Sequence, residues 1–265
     1  MTTRTAATPV PVALLAGVGV AFLAIPLVGL LITTPWARLP ELLASPVAYE
    51  ALRLSLVTSV SATALAVLVG VPLAWVLARA RVPGRTFIRA LVTLPLVLPP
   101  VVGGVALLLA FGRRGLIGQY LYDWFGVQLP FSTAGVIMAE AFVAMPFLVI
   151  TVEGALRSAD PRFEEAAATL GARRWTVLRR VTLPLIGPAL LAGTILAWAR
   201  ALGEFGATIT FAGNLPGVTQ TLPLAVYSVL DTDRDAAIAI SLVLLLASLA
   251  VLLLLRDRYL RGGTS

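Results

Sequence analysis

The sequence predicts an all-α, polytopic integral membrane protein with six transmembrane helices and one structured loop on the cytoplasmic side. Three observations predict it. The chain of 265 residues is 59% hydrophobic and only 12% charged, and its mean hydropathy of +0.96 lies far above that of a water-soluble domain. Its apolar residues fall into six runs of about the 20 residues a helix needs to cross a bilayer. Its arginines gather in alternate connections between those runs, as the resistance of basic residues to translocation requires.

The runs are Val10 to Thr33, Leu54 to Leu77, Leu91 to Phe111, Ala134 to Leu156, Leu185 to Leu202 and Ala236 to Leu255. The first follows a short polar start with Arg4. It is longer than the apolar core of a signal peptide and lacks a small-residue cleavage site after Leu31, so it reads as a retained span. With an even number of spans both termini share a side. That side collects Arg4, Arg79, Arg81, Arg85, Arg89, Arg157, Arg162, Arg173, Arg174, Arg179, Arg180, Arg256, Arg258 and Arg261, against Arg38, Arg113, Arg114 and Arg234 opposite. Both termini are therefore expected in the cytoplasm, and residues 1–265 form one transmembrane domain. Pro26, Pro72, Pro95, Pro99, Pro100 and Pro146 sit in or at the rims of spans. Each removes an intrahelical hydrogen bond, so bent helices are expected. Gly103, Gly104, Gly187 and Gly193 leave room either for close helix contact or for a hinge.

Several classes fall away by absence. There is no Cys and no His, which removes thiolate and imidazole chemistry, both as nucleophile or base and as metal ligands. No pair of Asp residues lies within an apolar run, so an intramembrane enzyme lacks its parts. All 20 basic residues are Arg, and a phosphate-cradling loop of the Gly-Lys-Ser/Thr type needs a lysine. If ATP drives the protein, ATP and Mg belong to another polypeptide, and this chain binds no cofactor or metal of its own. The net charge of +7 is spread along loops rather than gathered in a basic domain, which excludes nucleic acid as a partner and leaves membrane lipid.

The connection 157–184 carries the most information. Asp160-Pro161 opens a short helix, with Asp160 as cap and Pro161 at its first position, and Glu164 and Glu165 complement its positive end. Gly171 suits the left-handed residue that ends it, and a second short helix follows from Ala172. So short a helix is stable only when docked.

Here the chain resembles the permease subunits of binding-protein-dependent ABC importers. Their loop motif is present as Glu165-Ala166-Ala167, Gly171, Val181 and Leu183-Pro184, with Val181 where Ile is usual. The resemblance implies a type I importer permease fold. The loop would be a coupling helix seated in a groove of a cytoplasmic ATP-binding subunit, and two such subunits would drive alternating access. Small Ala166 and Ala167 permit close approach, and Glu165 can meet a basic or amide partner. The surrounding arginines serve either the membrane bias or the ATPase contact.

A second resemblance covers Trp198 to Tyr227, with Gly203-Glu204-Phe205-Gly206-Ala207, Phe211-Ala212-Gly213-Asn214 and Thr219-Gln220-Thr221-Leu222-Pro223. It is similar to the molybdate permeases, whose sulfate and thiosulfate relatives share the Gly-Glu-Phe-Gly-Ala core. What this implies is a homodimer receiving molybdate, or tungstate, from an extracytoplasmic oxyanion-binding protein in the cell (inner) membrane, with sulfate as the alternative cargo. Thr208, Thr210, Asn214, Thr219, Gln220 and Thr221 supply neutral donors near the outer end of the fifth span, as a gate or as a solvated loop. Arg200 and Glu204, four residues apart, either satisfy one another or touch the substrate. The rival of another class, a stand-alone channel or proton-coupled carrier, would need deep carboxylates, for which Glu140 and Glu153 are the candidates.

Overall fold

The computed structural model describes residues 9–80 and 82–261. Arg4 and Arg81, which enter the orientation count, lie outside them. All regular structure among the described residues is helical. In chain order the helices are α1 (Val10–Thr33), α2 (Leu39–Leu43), α3 (Pro46–Arg79), α4 (Arg85–Val97), α5 (Pro100–Phe111), α6 (Gly118–Phe125), α7 (Thr133–Ser158), α8 (Arg162–Thr169), α9 (Arg174–Val177), α10 (Leu183–Leu202), α11 (Gly206–Phe211), α12 (Leu222–Val229) and α13 (Arg234–Arg261). By length and composition α1, α3, α7 and the continuous stretch Arg174–Leu202 can each cross a membrane, and α5 is a shorter apolar helix. The six apolar runs thus fall on α1, α3, the pair α4 and α5, α7, α10 and α13.

Two elements correct the reading of the sequence. The third run is two helices, broken at Leu98 and Pro99, where both residues are extended, with ψ of 134° and 133°. The cause is the Pro99-Pro100 pair, since a residue before proline is pushed out of the helical region. The fifth span begins earlier than Leu185. α9 runs into α10 through a π-helical turn, Leu178–Thr182, in which the Leu183 N–H donates to the Leu178 carbonyl five residues back. Pro184 supplies the reason, because in a tighter turn its ring would strike the carbonyl of Arg180.

α7 is the centre of the bundle, and α3 and α10 are its main neighbours. Their contact is built from small residues. Ala62, Ala66, Gly70 and Ala74 recur every fourth position of α3 and are all buried, and a Cβ on Gly70 would lie 3.2 to 3.3 Å from Val149, Leu148 and Met145. Without a hydrophobic drive between helices in lipid, such close approach is what holds them together. α1 buries no residue and has α13 as its main neighbour, so it stands apart from the bundle core. Gly103 and Gly193 also face close neighbours, whereas Gly187 meets open space and serves no helix contact.

α11 lies on α5 at still closer range. A Cβ on Gly104 would stand 2.6 Å from the Thr210 Cβ and 2.9 Å from the Ala207 carbonyl oxygen, and one on Gly206 would stand 2.8 Å from Pro100. Gly104→Ala is therefore expected to destabilise the protein by about 1–3 kcal/mol, the usual cost of overpacking, while Gly187→Ala leaves it unchanged. Thermal unfolding of the two purified variants in one detergent compares them directly.

Candidate functional site

The connection between α7 and α10 folds as a capped helix on the end of the bundle. The Asp160 carboxylate accepts the Arg162 N–H at 2.9 Å, and the helix starts at Arg162, one residue later than the sequence suggested. It ends on Gly171 at φ +83°. The Gly171 N–H donates to the Ala168 carbonyl at 2.9 Å and the Ala172 N–H to the Ala167 carbonyl at 3.0 Å, the paired bonds of a left-handed helix stop.

Glu164 ties this helix to two spans. Its Oε1 accepts from the Thr182 hydroxyl at 3.0 Å, at the root of α10, and from Arg79 at 3.2 Å, at the end of α3. Sequence reasoning assigned Glu164 only to the helix start and missed both partners, since a bridge across 85 and 18 positions leaves no local signal. Glu164→Ala is expected to free α8 without unfolding the bundle, speeding amide hydrogen exchange in residues 162–171 while leaving α7 protected.

Of the motif residues, Glu165, Ala166, Gly171 and Pro184 are exposed, and Ala167 and Leu183 are half-buried. Around them Phe163, Leu170 and Trp175 stand 58%, 89% and 69% exposed. Three large apolar side chains thus stand exposed on an otherwise polar loop. Beside the loop, Glu153 of α7 is held by Arg89 of α4 and by Arg157 at 2.9 Å.

At the opposite end, α10 stops at Leu202 and the chain restarts as α11 after Gly203, Glu204 and Phe205. Glu204 is 1% exposed. Its Oε2 meets the Arg200 guanidinium at 2.5 Å and its Oε1 accepts the Ala207 N–H at 2.7 Å, so one carboxylate closes α10 and opens α11. Glu140 of α7 is equally buried and accepts the Thr58 hydroxyl of α3 at 2.9 Å. Trp198 donates to Ser59 at 3.1 Å, and Ser55 accepts the Leu222 N–H at 2.7 Å.

The polar residues expected to line a gate lie mostly inside this frame. Thr208, Thr219, Gln220 and Thr221 are buried, and Thr210 and Asn214 half-buried. Thr210 donates to the Gly206 carbonyl, Thr219 accepts the Leu215 N–H, and Asn214 and Gln220 both donate to Ser228. The Thr208 and Thr221 hydroxyls have no partner among the described residues. Thr210, Asn214, Thr219 and Gln220 thus brace the broken helix and the loop that returns to α12.

Residues 66–261 match the family described as the binding-protein-dependent transport system inner membrane component. The chain belongs to this family. Its membership of these inner membrane components makes it a membrane-spanning permease of a transport system. The Molybdenum transport system permease protein ModB of Mycobacterium tuberculosis is 53% identical over 235 residues, covering 89% of each chain. The Sulfate transport system permease protein CysT of Escherichia coli is 38% identical, over 86% of this chain and 82% of that protein. Among solved structures, a bacterial alginate ABC transporter in complex with a periplasmic protein bound to an alginate pentasaccharide superposes with a TM-score of 0.73. It covers 96% of this chain and 94% of the transporter chain at 20% identity, which shows a shared fold.

Proposed function

We propose that this permease forms the path by which an ATP-driven importer carries molybdate across the bacterial cell (inner) membrane. The observation that carries the cargo is the 53% identity to a molybdenum permease along 89% of both chains, against 38% for the sulfate relative. Tungstate, of like charge and shape, is the natural second cargo. The permease is not itself an enzyme. ATP and Mg are held by a separate subunit, since the chain has no lysine with which to build a phosphate loop.

The α8 end is the cytoplasmic end, by the arginine distribution, and both termini lie on that side. Each of two ATP-binding subunits receives one loop, and one chain offers one loop, so two copies of the permease work together beneath an extracytoplasmic oxyanion-binding protein. Phe163, Leu170 and Trp175, with Glu165, Ala166, Ala167 and Gly171, form the surface that enters the ATPase groove; Leu183 and Pro184 set the start of the span behind it. Closure of the ATPase pair around ATP draws α8 inward. Glu164 passes that displacement to α3 through Arg79 and to α10 through Thr182, and both helices grip α7, so the bundle turns as a rigid body.

The test is uptake of labelled molybdate into vesicles holding the permease, its ATPase and its binding protein, with excess sulfate as competitor. ATP-dependent uptake that resists sulfate supports the reading. Uptake abolished by sulfate moves the cargo to sulfate, and transport that persists without the ATPase overturns the importer.

A further inference from the structure

We propose that Arg53 receives the oxyanion at the outer mouth of the path and selects the charge of what passes along α3. This rests on the importer reading given above. A cavity of about 350 Å³ opens at the end of the bundle away from α8, lined by Glu50, Arg53, Leu54 and Val57 of α3, by Thr133 and by Gly217. A shallow groove of about 540 Å³, open to the surface, follows along the same helix, lined by Val60, Thr63, Ala64, Val67 and Leu68 with Thr194, Ile195 and Trp198 of α10. Positions 53, 57, 60, 64 and 67 recur at helical spacing and so form one face of α3. The face turned to α7 is the buried row of Ala62, Ala66, Gly70 and Ala74. On the cavity face Val57 and Val60 are 51% and 56% exposed. The proposed route runs along this face of α3, from Arg53 toward the groove shared with α10.

The two differ in chemistry. The groove is almost wholly apolar, and the outer cavity holds the guanidinium. Arg53 takes part in no ion pair or side-chain hydrogen bond among the described residues, while Arg38 is bound to Asp235 at 2.8 Å and Arg113 lies over the Tyr122 ring at 4.1 Å. The Thr133 hydroxyl is already spent on the Val218 carbonyl at 3.0 Å. Arg53 is therefore the free donor of the outer cavity, and a guanidinium fork suits the paired oxygens of a tetrahedral oxyanion. Glu50 in the same cavity offsets its charge, and beyond Val57 the groove offers no cation. The anion is attracted but not retained, as conduction demands.

The chain has no cysteine, so a single Val57→Cys, one turn below Arg53, reports the local potential. The complete importer in proteoliposomes is treated with a sulfonate-bearing and with an ammonium-bearing thiol reagent, and the ratio of the two labelling rates is compared across variants at Arg53. Arg53→Gln is expected to lower the anionic-to-cationic ratio about tenfold, the scale of field focusing in a cleft, and Arg53→Lys to restore most of it. Arg114→Gln, at the same end but away from the cavity, leaves it unchanged. A ratio indifferent to Arg53, a shift of equal size with Arg114, or an introduced thiol that neither reagent reaches would each overturn the proposal. The ratio does not depend on the cargo, so failure of the unsubstituted importer to take up molybdate sinks the substrate reading separately.

Discussion

Glu204→Ala is expected to cost the protein about 3 kcal/mol of stability, because removing one partner of a buried ion pair leaves the other charged and unpaired. Two losses coincide at this residue. Arg200, with 27% of its side chain exposed, loses its counter-charge, and the Ala207 N–H loses its acceptor at the start of α11. The second matters because α11 sits against α5 with Gly104 and Gly206 in near backbone contact, so a displaced α11 has nowhere to settle without clashing. Glu204→Gln keeps the acceptor and the volume while losing the charge, and its expected cost is smaller. Thermal unfolding of both variants in the same detergent separates the helix-start contribution from the ionic one. Equal stability of Glu204→Ala and the unsubstituted protein would show that the break between α10 and α11 is held by α5 alone.

Gly171→Pro is expected to abolish uptake while leaving the permease inserted and folded. At φ +83° the residue occupies backbone space that proline cannot enter, and proline also removes the N–H that bonds to Ala168. Nothing lies within 4 Å of where its Cβ would be, so the damage is one of backbone conformation and not of crowding. Gly171→Asn, which tolerates the left-handed region, should transport nearly as well as the unsubstituted protein. Gly171→Ala, with about 1–2 kcal/mol of strain, should fall between. Uptake measured across the three at equal membrane content tests this order. A proline variant that still transports would mean that the end of α8 is not needed for coupling.

The spans were legible because their signal is local and long. α1 carries the bounds read from the hydropathy run, and α7 exceeds its run by one residue before Ala134 and two after Leu156. The third span bends where Pro99 and Pro100 predict it, and the bend is sharp enough to divide the run into α4 and α5. The loop was legible through Gly171 and its caps, since each acts on its immediate neighbours. Glu164 shows where reading stops, because its partners Arg79 and Thr182 arrive only when three helices meet. The polar run from Thr208 to Thr221, open in the sequence to reading as a gate or as a solvated loop, is mostly buried in the structure. Hydroxyls and amides near the end of a span suggest water, and here Ser228 and the loop's own backbone engage Asn214, Gln220 and Thr219, while the Thr208 and Thr221 hydroxyls have no partner among the described residues. Composition does not say which way a side chain faces.

The π-helical turn between α9 and α10 sets how the loop and the span are phased. It lodges one residue more than an α-helical register would take, between a segment whose Trp175 faces outward and a span whose Ile186, Gly193 and Ala197 face inward. One residue of α-helix is about 100° of rotation. Moving that surplus residue toward either end would spin α10 on its axis with little travel along it, while the hydrogen-bonded ladder on each side stays whole. The place of the π-helical turn in the chain therefore sets which face of α10 meets α7 for a given seating of the loop.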